Sequence, residues 1–188
     1  MSQFNNLTQD ELLHLAIEST KKGEHGAAIS YLKEGVERFP EDGKLAYILG
    51  AEFAQIGLYD KAEIEMERAI ELDPELYTAS FQLGLLQMTL GKISEAKATW
   101  HHLDSLPNQH ALHLFKSGLE QLADSQFATA RQFLEQGIAA NDFSPELTHD
   151  MQNVLSSMPK DDAQAEEEPV EGKAGHVWLS AYNSDTPN

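Results

Sequence analysis

Laid on itself at a shift of 34 residues, the chain repeats. Ala28, Ala62, Ala96 and Ala130 form a column, each 34 residues after the last. Leu32, Met66, Trp100 and Leu134 stand four positions on, all large, and Gly35, Ala69, Leu103 and Gly137 three beyond those. Upstream, Leu15-Ala16, Leu49-Gly50, Leu83-Gly84 and Ser117-Gly118 align, as do Gly23, Gly57 and Gly91, with Ser125 in the fourth place. Pro40 and Pro74 close the first two units. The third proline comes one position early, at Pro107, and the fourth unit closes on Asn141-Asp142 without one. A period of this length with apolar residues at helical spacing describes a helical hairpin stacked on copies of itself. Leu45–Pro74 is the best-formed copy, two amphipathic helices joined at Gly57-Leu58-Tyr59-Asp60. Small residues at Gly50, Ala62 and Ala69 let the two helices approach, and Leu49, Phe53 and Met66 fill the grooves between them.

These residues resemble the tetratricopeptide repeat family, whose motif sets a large residue, Leu-Gly, an aromatic, Ala, another large residue and Pro over one repeat. The resemblance implies an all-α fold: a right-handed superhelix of four hairpins at 9–42, 43–76, 77–110 and 111–142. Departures from the motif gather in the fourth unit, where Ser125 replaces glycine and the closing proline is missing. An N-terminal extension, residues 1–8, leads into a capping box of Thr8 with Glu11, and Leu7 and Leu12 stand at hydrophobic-staple spacing. Ser144-Pro145 is a strong helix start. Leu147, Met151, Val154, Leu155 and Met158 follow at helical spacing, so residues 143–158 are expected to form a capping helix over the fourth hairpin. Residues 159–188 are acidic, and 159–175 are almost without large apolar side chains, a composition expected to be disordered. One apolar motif interrupts this tail at 176–182, carrying Val177, Trp178, Leu179 and Tyr182.

Charge and composition remove several function classes. The 188 residues carry a net charge of −18, with −5 in the tail from residue 159 and −13 in the body. No basic stripe exists to displace counterions from nucleic acid, and an anionic membrane surface would repel the chain. With no cysteine there is no disulfide framework, thiolate nucleophile or zinc–thiolate site. The start, MSQFNNLTQDELLHLA, lacks a basic run followed by an apolar one, and no apolar stretch approaches the ~20 residues of a membrane span. A soluble cytoplasmic protein is expected. His101, His102, His110 and His113 have no acidic residue between positions 105 and 119 to complete a metal site, so no metal or cofactor is expected. Gly23-Glu24-His25-Gly26 lacks the lysine and preceding strand of a phosphate loop. No serine stands in a nucleophile-elbow context, and the chain is not expected to be an enzyme.

The family resemblance implies ligand binding on a concave surface built from the first helix of each unit. Helical period assigns Asp10, Leu13, Ile17 and Lys21 to that face, then Lys44, Tyr47, Ala51 and Gln55. The third unit offers Thr78, Phe81, Leu85, Met88 and Thr89, and the fourth Leu112, Phe115, Leu119 and Leu122. The peptide-binding candidates are Leu13, Ile17, Lys44, Tyr47, Ala51, Phe81, Leu85, Met88, Phe115, Leu119 and Leu122. Members that grip a C-terminal carboxylate use Lys, Asn and Arg at such places, so this apolar row disfavours a carboxylate clamp. The leading expectation is a non-enzymatic adaptor holding an apolar peptide or helix of a partner protein. Two alternatives stand beside it: a dedicated chaperone for a secreted or membrane client, and a self-associating scaffold whose VWLSAY segment docks on the repeats. A third possibility is that the inward row is inter-helix core, covered by neighbouring hairpins.

Overall fold

The computed structural model describes residue 4 and residues 6–159, and all regular elements among them are helical. First helices begin at Gln9, Gly43, Tyr77 and Ala111, each 34 residues after the last, and second helices at His25, Tyr59, Ile93 and Phe127 keep the same interval. The described residues divide into two compact units between Leu86 and Gln87, inside helix α5 (Tyr77–Thr89).

The first unit holds α1 (Gln9–Lys21), α2 (His25–Arg38), α3 (Gly43–Gln55) and α4 (Tyr59–Leu72), each packed on the next. The capping box opens α1: the Thr8 amide donates to Glu11 Oε2 at 2.7 Å, and the Glu11 amide donates to Thr8 Oγ1 at 3.3 Å. Asp42 starts α3 by accepting from the amides of Lys44 and Leu45. Both turns need left-handed backbone, supplied by Gly23 (φ +73°) and Gly57 (φ +76°). Where α3 meets α4, a Cβ on Gly50 would lie 2.8 Å from Met66 Cγ and 3.1 Å from the Ala62 carbonyl. The glycine therefore sets how closely the two helices sit. Leu12, Leu32, Leu45 and Met66 are fully buried in this unit. Ahead of α1, the Phe4 ring packs on Tyr31 with centroids 4.8 Å apart, and the Phe4 carbonyl accepts from Arg38 Nη1 at 3.1 Å.

The second unit contains α6 (Ile93–Trp100), a 3₁₀ helix at His101–Ser105, α7 (Ala111–Ala123), α8 (Phe127–Ala140) and α9 (Pro145–Ser157). The α7–α8 contact repeats that of α3–α4: a Cβ on Gly118 would lie 2.8 Å from Leu134 Cδ2 and 3.1 Å from the Ala130 carbonyl. Ser144 caps α9 by accepting from the Leu147 amide at 3.3 Å. Leu147, Met151 and Val154 are buried, while Leu155 is only half-buried.

The irregular hairpin is the third rather than the fourth. Helix α8 runs its full 14 residues despite lacking the glycine turn and closing proline, whereas α6 stops after 8 and continues as the 3₁₀ helix. The column that holds Gly35, Ala69 and Gly137 holds Leu103 here, and it is completely buried. The larger side chain and the tighter winding coincide at this one copy of the column.

Candidate protein-interaction surface

In the first unit, the candidate row keeps contact with solvent. Leu13 and Ile17 on α1, and Tyr47 and Ala51 on α3, are half-buried, and Lys44 is exposed. Tyr47 packs against Ala46, Ala69 and Ala79 beside Ile70 and Leu76, and this burial pushes its phenol up to about 12. At neutral pH the phenol stays protonated and offers a partner an O–H rather than a charge. Lys44 also lines an open cleft of about 690 Å³, whose wall includes Phe39, Pro40, Asp42 and Asp73.

Further along the chain the row lies in the core. Phe81 and Leu85 are 0% and 2% exposed, Met88 1%, and Phe115 and Leu119 0%, while Leu122 is half-buried. Phe115 shows why. Its ring occupies the space a side chain at position 137 would need, with Cε1 2.6 Å from a Cβ built on Gly137. Helical period identifies a shared helix face but not whether another helix covers it, and for these five residues the inter-helix reading describes the structure. Of the remaining candidates, Val177, Trp178, Leu179 and Tyr182 lie outside the described residues.

Large apolar side chains that do reach solvent were missed by the period argument. Ile56 and Leu58 are each 41% exposed, Ile64 62%, Leu90 36% and Phe143 45%. Three of these five fall between positions 56 and 64, at the α3–α4 turn and on the outer side of α4. Turn positions carry no helical period, which is why a face-by-face reading passes over them.

Buried charge is paired. Glu52, 2% exposed on α3, accepts from Thr20 Oγ1 at 2.5 Å and lies 2.9 Å from His25 Nδ1, tying the first hairpin to the second. In the second unit Lys116, 6% exposed, donates to Asp104 Oδ1 at 2.6 Å and stands 3.4 Å from Glu120, while His101 meets the other Asp104 oxygen at 2.9 Å. The Lys116 hydrogen bond, more than the charges of Lys116 and His101, holds the Asp104 carboxyl below its ordinary value against the opposing effect of burial. His110 caps α7, its Nδ1 accepting from the Leu112 amide at 3.2 Å, and His113 Nδ1 lies 3.4 Å from the Leu103 carbonyl. Among the described residues no group of three or more histidines or carboxylates could hold a metal ion, and no helix is long and apolar enough to cross a membrane.

Comparison with known proteins agrees with this geometry. Residues 44–76, spanning α3 and α4, match the tetratricopeptide repeat family. The chain is 28% identical over 138 residues to tetratricopeptide repeat protein 12 of Mus musculus, covering 71% of this chain and 20% of that protein. It thus spans about a fifth of the length of this curated relative. Among solved structures, a crystal structure of MamA superposes with a TM-score of 0.61 at 22% identity over 73% of this chain and 80% of that one. MamA 41-end from Desulfovibrio magneticus RS-1 gives 0.61 at 15% identity over 95% and 97% of the two chains. At such identities the likeness is one of fold. Taken with the 34-residue helix interval and the glycine contacts between hairpin arms, the match at residues 44–76 supports a tetratricopeptide repeat protein.

Proposed function

We propose that the chain is a non-enzymatic adaptor that holds an apolar segment of a protein partner along the first helices of its first unit. The tetratricopeptide fold supports a protein-interaction module in general. The observation that carries the finer reading is the contrast along the candidate row. Leu13, Ile17, Tyr47 and Ala51 retain solvent access, whereas Phe81, Leu85, Met88, Phe115 and Leu119 have none. Half-buried apolar side chains on a rigid helical face can cover a partner's apolar residues with little reorganisation. Exposed Lys44 at the edge and the protonated Tyr47 phenol add hydrogen-bond donors that fix the register of a bound segment.

Selection of a displayed random-peptide library on the full chain tests this reading. Peptides with apolar residues at helical or alternating spacing are expected, and Leu13→Gln with Ala51→Gln should reduce their binding about tenfold with the helical content unchanged. Selected peptides that bind the double variant as tightly as the wild type would place the binding surface elsewhere.

A further inference from the structure

With 31 acidic and 13 basic residues, this chain offers every cation an abundance of carboxylates. Two lysines in the first unit nevertheless converge on a ring. Lys33 Nζ on α2 and Lys61 Nζ on α4 each lie 5.7 Å from the centroid of Phe53, within reach of the ring's negative face. Both side chains are exposed, and among the described residues neither ammonium is paired with a carboxylate. Because both approach one ring, they stand no more than twice that distance apart.

Beside them is the turn that joins α3 to α4. The Leu58 amide donates to the Phe53 carbonyl at 2.8 Å, and Ile56 and Leu58 are each 41% exposed. The same two positions hold Lys22 and Glu24 in the first hairpin, Leu90 and Lys92 in the third, and Asp124 and Gln126 in the fourth. Only the second tip places two apolar residues there. On a chain of net charge −18, a tip that sets two exposed apolar side chains beside two lysines, against the single exposed carboxylate of Asp60, fits a segment that is both apolar and acidic, which the remaining acidic surface repels.

We propose that this tip docks residues 161–179 of a second copy of the chain. That stretch carries Asp161, Asp162, Glu166, Glu167, Glu168 and Glu171, followed by Val177, Trp178 and Leu179. Its carboxylates meet Lys33 and Lys61, and its apolar end covers Ile56 and Leu58. Two copies that exchange these segments satisfy each other's tips, an isologous arrangement that closes on itself. The docking uses the C-terminal end of α3 and the turn after it, and stands apart from the apolar-row reading above.

Sedimentation velocity of the full chain over a range of concentrations is the test. The wild type should self-associate, weaken as salt screens the charges, and dissociate when a synthetic peptide of residues 161–179 is added in excess. Lys33→Glu with Lys61→Glu changes exposed side chains only, so the helical content should be kept while association weakens about tenfold or more. A wild type that stays monomeric throughout overturns the proposal, as does association unchanged by charge reversal. Association that the reversal abolishes but the peptide leaves intact would keep the tip as an interface and reject the tail as its occupant.

Discussion

The second and fourth hairpins make one helix contact in two units and differ at both ends of it. Gly50 against Met66 and the Ala62 carbonyl is matched atom for atom by Gly118 against Leu134 and the Ala130 carbonyl, at 2.8 and 3.1 Å in each case. The turns do not match. Gly57 takes φ +76° freely, whereas Ser125 is driven to φ +59°, a conformation that costs an L-residue roughly 1–2 kcal/mol. The helix starts differ too, with Asp42 accepting from two amides and His110 from one. At the helix contact steric exclusion holds Gly50 and Gly118 in place, although the first hairpin carries Ala16 in that column, while a turn asks only for a backbone angle that another residue can adopt at a cost.

The largest test of this equivalence is to fill both contacts. Gly50→Val and Gly118→Val each place carbon where backbone and side chain already stand, and each should cost about 3 kcal/mol, the upper end of ordinary overpacking. Urea unfolding of the full chain, followed by circular dichroism, measures both. A loss below about 1 kcal/mol at one site alone would break the equivalence, because that hairpin could then spread its arms without penalty.

At the turns the effect is smaller and its sign reverses. Ser125→Gly should raise stability by about 1 kcal/mol, since relief of left-handed strain exceeds the added unfolded-chain entropy, and Gly57→Ser should cost about as much. Open space surrounds Gly57, with no atom within 4 Å of a Cβ placed there, so the change at that site tests conformation rather than crowding. Paired thermal melts that move in opposite directions would confirm that the turn is tolerant at a fixed cost. Melts that do not move would mean the fourth turn has relaxed in a way the second cannot.

Much of this was legible in the sequence because it rests on local sterics and capping. The alanine column is fully buried at Ala28, Ala62, Ala96 and Ala130, Thr8 and Glu11 form their reciprocal cap, and Ser144-Pro145 starts α9. The shortened α6 was harder to foresee. Its signals were Leu103 in a column of small residues and a proline one position early, and neither states that helical winding will change. Solvent access along the candidate row was not legible. Leu13 and Tyr47 share a face with Phe81 and Phe115 by period, yet only the folded chain shows that Phe115 fills the space left by Gly137. Exposure depends on what another helix covers, and a single-helix pattern does not contain that information. The Lys33–Phe53–Lys61 convergence brings together α2, α3 and α4, which no spacing rule links.

The smallest expected effect separates the two units by the sign of the charge each buries. The first buries an acid, Glu52, with His25 nearer the surface; the second buries a base, Lys116, with Asp104 nearer the surface. Asp104 is held below its ordinary carboxyl value of 3.8, chiefly by the Lys116 hydrogen bond. A depressed folded value means the group adds stability above pH 3.8 and loses it as pH falls through the lower folded value. Its side chain is 42% exposed, so solvent screens the pair and the contribution is only about 0.5 kcal/mol. Asp104→Asn should therefore lower stability slightly at neutral pH and flatten its decline in acid, a difference readable in urea midpoints taken from pH 7 down to pH 3. If the variant and wild type decline in parallel, Glu120 at 3.4 Å is enough to satisfy Lys116, and the short Asp104 contact shapes the 3₁₀ turn without stabilising it.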